Sequence, residues 1–550
     1  MSELKTSYES LAEWAQSTPD CLFLSQPVNG EVRDWTFREA FDDVSRLANA
    51  LLESGLVAGD KVAILSKNCA EWVLSDIALA MAGLISVPIY PTAGPNMIAY
   101  VMQHSEAKAI LVGKLDDASA AERALSADTI TIGFPYAGMT CQHELQALID
   151  AHEPLMRPHR PANEDGMTIL YTSGSTGQPK GVVISYGAYH YACTTTAMLN
   201  DVVPEDRTLS YLPLAHITER TVVAGPAIFS GTSLYFVDTI ESFLDDLKRA
   251  RATTFVSVPR LWVQFQAGVH RHIAPAKLNL LLAIPIVRKF VARRVRERLG
   301  LDNCRLLGSG SAPISPDTIR WYEKIGVTIG EGWGMSETSG LSCANIPFDS
   351  RKVGTIGTPL PGTEMKLSND AEILIRSPGL LTEYYKRPDL TAESFTEDHF
   401  FRTGDKGEWN EKLQAFRVTG RVKDQFKSAK GKYVSPVPIE SKLGGNPLIE
   451  QVCVMGSGLR APVAVLVPSV SATGSAREVI RRNLADLLNN VNGMLESHEK
   501  LARLFVVSEP WTIENGLLTP TLKIKRDSLE EKYATMIARD ENELVVWADV

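Results

Sequence analysis

Two apolar rhythms alternate along the first half of the chain. Leu47, Ala48, Leu51 and Leu52 recur at helical spacing, and Gly59-Asp60 then turns into Lys61-Val-Ala-Ile-Leu65, a short apolar run that reads as a buried strand. Ala109-Ile-Leu-Val112 reads the same way, and further strand candidates follow at Leu209–Leu212, Ser233–Val237 and Thr254–Val258. Such alternation predicts a layered α/β domain with mostly parallel strands. After about residue 350 the rhythm changes to short strands between turn residues, at Glu372–Ile375 and Phe416–Val418, which predict a small β-rich unit. From about residue 424, strands at Gln451–Met455 and Pro462–Val467 and a helical stretch from Ala476 to about His498 predict a separate, small α+β unit. The expected organisation is therefore α/β, with a large multi-subdomain N-terminal domain over 1–419, a hinge at 420–424 and a small mobile α+β domain over 425–550.

Composition narrows the class. At 550 residues, 44% hydrophobic and 22% charged, the chain holds roughly three to four folding units, which excludes a lone binding module and low-complexity disorder. A net charge of -9 gives no global attraction to nucleic acid, so no nucleic-acid partner is expected. The seven cysteines are scattered without a CxxC pair, a pattern of free thiols in a reducing compartment rather than of disulfides or a zinc site. The first residues carry early acids and no apolar core, so they do not read as a secretory signal. The longest apolar stretch, Ile77 to Tyr90, falls short of the roughly 20 residues a spanning helix needs. A cytoplasmic protein is expected.

The most informative segment is Thr168-Ile-Leu-Tyr171, then Thr172-Ser-Gly-Ser-Thr-Gly-Gln-Pro-Lys-Gly181, then Val182-Val-Ile184. Glycines let a backbone turn its N–H groups inward, hydroxyls add donors and Lys180 adds a mobile positive charge, which together make a polyphosphate cradle. A Walker loop places Gly-Lys-Ser/Thr directly before a helix, whereas here Gly181 and a strand signal follow Lys180. The pattern predicts a β-hairpin with a phosphate-gripping tip and disfavours a P-loop phosphotransferase.

This segment resembles the phosphate-binding signature of the adenylate-forming superfamily, which includes acyl-CoA synthetases, firefly luciferase and the adenylation domains of peptide synthetases. Thr172, Ser173, Gly174, Ser175, Thr176, Gly177 and Lys180 are the residues that carry over. Further matches follow in the family's order. Ser315-Pro316-Asp317 starts a helix that Gly326 can stop, and a strand at Val327–Ile329 leads into Gly330-Glu-Gly-Trp-Gly-Met-Ser-Glu-Thr338. This stretch is similar to the family's adenine-and-magnesium motif. The resemblance places Trp333 at the aromatic position, Glu331, Gly332, Gly334 and Ser336 around the nucleotide, and Glu337 with Thr172 at a magnesium ion. Gly310 and Ser311, in Gly308-Ser-Gly-Ser-Ala-Pro313, match the adenine-side loop.

Asp405 in Phe401-Arg-Thr-Gly-Asp405 matches the acid that takes both ribose hydroxyls, a task suited to an ionised carboxylate. Arg421 and Lys423 match the ribose-contacting arginine and the hinge residue, and Lys427 a further position near the nucleotide. Lys523 aligns with the C-terminal catalytic lysine, although this chain has Thr521-Leu522-Lys523 where many relatives carry Ser-Gly-Lys, and Lys525 lies close by. The stretches Leu212-Pro-Leu-Ala-His-Ile-Thr-Glu-Arg220 and Gly431-Lys-Tyr-Val-Ser435 resemble long-chain fatty acyl-CoA synthetases in particular. On that resemblance His216 and Trp262 would serve the acyl group, Trp262 as an aromatic gate.

What the resemblance implies is activation of a medium- or long-chain fatty acid by ATP and Mg2+ to acyl-AMP and pyrophosphate, with coenzyme A as the acceptor. The alternative is an acyl-AMP ligase loading a carrier protein, or activation of another acid such as an aryl acid. The oligomeric state stays open, a homodimer included. One segment stands outside the motifs: apolar Leu278–Val287 runs into 288–298, where six basic residues and one acid leave +5 in an acidic protein. A solvated helix face is the ordinary reading, and peripheral membrane contact through 278–298 the other.

Overall fold

The computed structural model describes residues 4–28, 30–172, 178–429, 431–469, 476–513, 515–519, 523–539 and 543–548. Two large sheets form the N-terminal domain. In the first, the parallel strands Lys61–Leu65, Ile85–Ile89, Ala107–Val112 and Ile130–Gly133 are continued through Gly166–Thr172, which then pairs antiparallel with Lys180–Ser185. In the second, Arg207–Ser210, Ser233–Phe236, Thr254–Ser257, Leu306–Ser309 and Ile329–Met335 run parallel, and Gly340–Ala344 returns antiparallel. Crossover helices cover both, as parallel strands demand.

Local sequence explains the helices. Thr6 with Glu9 and Thr36 with Glu39 form reciprocal capping boxes at Ser7–Ser17 and Phe37–Glu53, satisfying N–H groups that helix starts leave orphaned. Helix Ala70–Ala82 is buried along its whole length between neighbours, and Gly83 in the left-handed region (φ +75°) ends it. The apolar stretch Ile77–Tyr90 is thus the end of a core helix, a turn and strand Ile85–Ile89. No helix among the described residues is long and apolar enough to cross a membrane. All seven cysteines are free.

The β-rich unit is a four-stranded antiparallel sheet of Glu364–Leu367, Glu372–Arg376, Phe401–Asn410 and Ala415–Arg421. The smaller C-terminal domain has its own sheet, Ile449–Met455, Val463–Pro468, Leu504–Val507 and Val545–Ala548, with helix Arg477–Asn492 burying Ile480, Leu484, Leu488 and Val491 against it. It rests on the N-terminal domain through an Arg260–Glu450 ion pair and an approach of Gly445 to the Ser315 helix cap.

Candidate active site

The expected hairpin is present, with Tyr171 opposite Gly181 and Thr172 opposite Lys180. Ser173, Gly174, Ser175, Thr176 and Gly177, its tip, lie outside the described residues. Its base is braced by aromatic residues: Tyr100 donates to the Pro179 carbonyl at 2.9 Å, and the Tyr171 hydroxyl meets His104 Nδ1 at 2.8 Å. Lys180 lies 5.2 Å from the centre of the Tyr384 ring. Desolvation lowers the Lys180 pKa, Glu337 pulls it back up, and Lys423 and Arg387 lower it further, so Lys180 and Lys423 share one electrostatic neighbourhood.

The segment Gly330–Met335 is itself the end of a strand, and Ser336–Thr338 is a single tight helical turn. Its glycines are required by close neighbours: a Cβ on Gly334 would stand 1.6 Å from the Gly340 carbonyl oxygen, at the bulge between Trp333 and Gly334. Trp333 donates its indole N–H to Asp405 Oδ2 at 2.9 Å, and Arg421 Nε donates to Asp405 Oδ1 at 3.0 Å. A carboxylate has about four acceptor positions, so the buried Asp405 retains capacity for two further donors. Glu337 accepts the Tyr384 hydroxyl at Oε1, at 2.9 Å.

Lys523 reaches this cluster from the C-terminal domain. Desolvation lowers its pKa, the Arg421 charge lowers it further, and Asp405 and Glu337 offset part of both effects. The residue as a whole remains exposed to solvent. His216 is held at about 3 by burial and then by the Lys523 charge, and its Nδ1 accepts the Thr218 N–H at 3.2 Å, which puts the proton of the neutral ring on Nε2. Residues from five distant stretches, Lys180, His216, Glu337, Asp405 with Arg421, and Lys523, thus act on one another.

Beside them runs a largely apolar channel with about 890 Å³ of atom-free space, its open mouth included. Thr218, Gly310, Ser311, Gly332, Trp333 and Gly334 line it together with the apolar Val222, Val223, Pro226, Ala227, Val256, Leu306 and Leu307. Ser311 is held in the left-handed region (φ 65°), its hydroxyl 3.4 Å from that of Thr218. Glu219–Ala224, on the channel wall, is a π-helical turn, a form often found at functional sites.

Three expected residues are placed elsewhere. Trp262 is fully buried among Phe255, Phe265 and Tyr322, donates to the Gly308 carbonyl at 3.3 Å and does not line the channel, so the expected gate is a core residue. Lys427 stands 4.9 Å from the centre of the Tyr433 ring and is not among the charges that act on Lys180 or Lys523. Glu331 is buried with Oε2 unpartnered among the described residues, and burial pushes its carboxyl up to about 8, so it faces the fold as a neutral acid.

Sequence reasoning missed the support beneath the site. Arg220 donates through Nη2 to both Asp76 oxygens at 2.7 Å and through Nη1 to Thr168 Oγ1 at 2.7 Å, with the rings of Trp72 and Tyr189 beside it. Glu219 is fully buried, with its carboxyl pushed up to about 8 by burial and Oε2 unpartnered among the described residues. The available signal was Asp76 itself, one of two acids, with Glu71, in a helix buried along its whole length.

A family model described as AMP-binding enzyme matches residues 11–385, and one described as AMP-binding enzyme C-terminal domain matches residues 423–540. The chain is 31% identical to fatty acyl-CoA synthetase A of Dictyostelium discoideum, over 94% of this chain and 86% of that protein. It is 29% identical to the long-chain-fatty-acid–CoA ligase FadD15 of Mycobacterium tuberculosis, over 96% and 95%. Among solved structures it resembles the adenylation domain of a carboxylate reductase from Mycobacterium chelonae (TM-score 0.82, 23% identity, covering 97% of this chain and 90% of that one). It also resembles the anthranilate–CoA ligase AuaEII bound to anthranoyl-AMP (TM-score 0.81, 21% identity, covering 98% and 99%).

Proposed function

The chain belongs to the AMP-binding enzyme family, and from that premise we propose that it activates a fatty acid with ATP to acyl-AMP and transfers the acyl group to coenzyme A. One observation carries the reading: Lys523 comes close enough for its charge and those of Asp405, Arg421 and Glu337 to act on one another, and to act on His216, beside an apolar cavity.

A carboxylate resists attack because it is an anion with a poor leaving group. Its oxygen attacks the α-phosphorus of ATP, the new O–P bond forms as the bond to pyrophosphate breaks, and the resulting mixed anhydride accepts a thiol readily. The protein's task is in-line positioning and neutralisation of charge. Lys180 and the hairpin tip hold the departing phosphates, and Lys523 stabilises the charge that develops during adenylation. Asp405 takes the ribose hydroxyls with its remaining acceptor positions while Arg421 and the Trp333 N–H fix its orientation. Gly310, Ser311, Gly332 and Ser336 shape the nucleotide's bed. Neutral His216 offers Nε2–H as a donor that carries no competing charge.

The donor set near Lys180 suits a magnesium ion, which favours one or two carboxylates completed by substrate phosphates: Glu337 and Thr172 supply hard oxygens, with the Tyr384 hydroxyl orienting Glu337. Magnesium bound there would offset the phosphate charge. The chain bends at 420–424 between half-reactions, and Lys423, whose charge acts on Lys180 in this arrangement, changes partners when the C-terminal domain turns to admit coenzyme A.

A panel of carboxylic acids incubated with ATP, magnesium and coenzyme A, followed by mass detection, tests the reading. Acyl-AMP, pyrophosphate and acyl-CoA formed from fatty acids are expected. Orthophosphate release without any acid would contradict it.

A further inference from the structure

The basic segment forms two helices on the surface, Pro275–Ala283 and Pro285–Leu299. Leu278, Leu282, Ala292, Val295 and Leu299 point into the core that contains Trp262. On Pro285–Leu299 the buried residues fall on one side, so at 100° per residue Ile286 and Phe290 lie one turn apart near the middle of the opposite, solvent face. They are 85% and 74% exposed, and Leu280 on the preceding helix and Ile284 at the junction of the two helices are 66% and 46% exposed.

The same projection puts Lys289 and Arg293 on one flank of the Ile286–Phe290 pair and Arg294 on the other, all exposed. The acid of this face, Glu297, is already engaged by Arg293 at 2.8 Å and Arg294 at 3.4 Å. Arg288, Lys289 and Arg298 form no ion pair among the described residues. Solvation of charge explains the arginines of such a face but not two large apolar side chains at its centre, a full turn apart and away from the core.

We propose that this face docks the protein on an anionic lipid bilayer, with Leu280, Ile284, Ile286 and Phe290 entering the headgroup–acyl boundary and the flanking cations meeting lipid phosphates. Apolar residues bracketed by cations are the arrangement an interfacial helix needs, because burial of the first and attraction of the second act together. Charge complementarity selects this occupant, since the rest of the protein is acidic and a second copy would bring +5 against +5. The inference is independent of the acyl-activation reading.

Flotation with vesicles of phosphatidylcholine, with and without about a quarter phosphatidylglycerol, tests it on the full chain. The protein should float with the anionic vesicles, less so in high salt and not with neutral ones. Ile286→Ser with Phe290→Ser, and separately Arg288→Gln, Lys289→Gln, Arg293→Gln and Arg294→Gln together, should each weaken partition about tenfold or more. Circular dichroism and acid-dependent pyrophosphate release without vesicles should stay at the parent level, since these residues lie outside the site. Absence of parent binding to anionic vesicles, or equal binding by the variants, overturns the proposal. So does a change in oligomeric state on sedimentation with vesicles ignored, which would assign the face to self-association.

Discussion

Glu219 and Asp405 are both buried acids in different surroundings. Asp405 accepts from the Trp333 indole and the Arg421 guanidinium, whereas Glu219 has no cation beside it among the described residues, and burial raises its carboxyl from an ordinary 4.5 to about 8. That shift makes stability depend on pH. Between those values the unfolded chain has released the proton and the folded chain keeps it, so the contribution is complete below 4.5 and is lost as pH rises to about 8. Glu219→Gln mimics the neutral acid at every pH, and its Tm relative to the parent should therefore become steadily more favourable from pH 5 to pH 8. A constant difference in thermal melts across that range would mean that Glu219 is ionised throughout. At this scale the sequence was legible where chemistry is local, as at Asp405 and Lys180. It was not legible where distant packing sets protonation, as at Glu331, His216 and Glu219.

Elements explain why. The phosphate hairpin could be read from two apolar runs around a Gly- and hydroxyl-rich loop, and Ser315 with Pro316 announced helix Pro316–Lys324, both being signals contained in a few neighbouring residues. Trp262 could not be sorted into gate or core, because a helix places both kinds of tryptophan at the same spacing and only the packing of Phe255, Phe265 and Tyr322 decides. The Asp76–Arg220 pair is likewise a meeting of elements 144 residues apart: it ties helix Ala70–Ala82 and strand Gly166–Thr172 to the π-helical turn on the channel wall. Arg220→Ala leaves Asp76 buried without its cation and should cost about 3–5 kcal/mol in denaturant unfolding, with most of the loss recovered when Asp76→Asn is added. A loss below about 1 kcal/mol would show that the pair does not hold these elements together.

The molecule as a whole joins a fold legible from its rhythms to a site that exists only when its two domains meet. Alternating helix and strand signals foretold the α/β layers, the antiparallel unit and the C-terminal sheet, but no local pattern says that Lys523 comes within the influence of Asp405, Glu337 and His216. In this arrangement the C-terminal domain presents its lysine to the side of the site where adenylation would occur, and a turn about 420–424 would withdraw it. The most direct test is Lys523→Ala assayed in each half-reaction separately. Acyl-AMP formation should fall about a hundredfold or more, while thioester formation from supplied acyl-AMP and coenzyme A should stay within about threefold of the parent. Equal losses in the two half-reactions would contradict the role assigned to Lys523 and, with it, the division of labour between the domains.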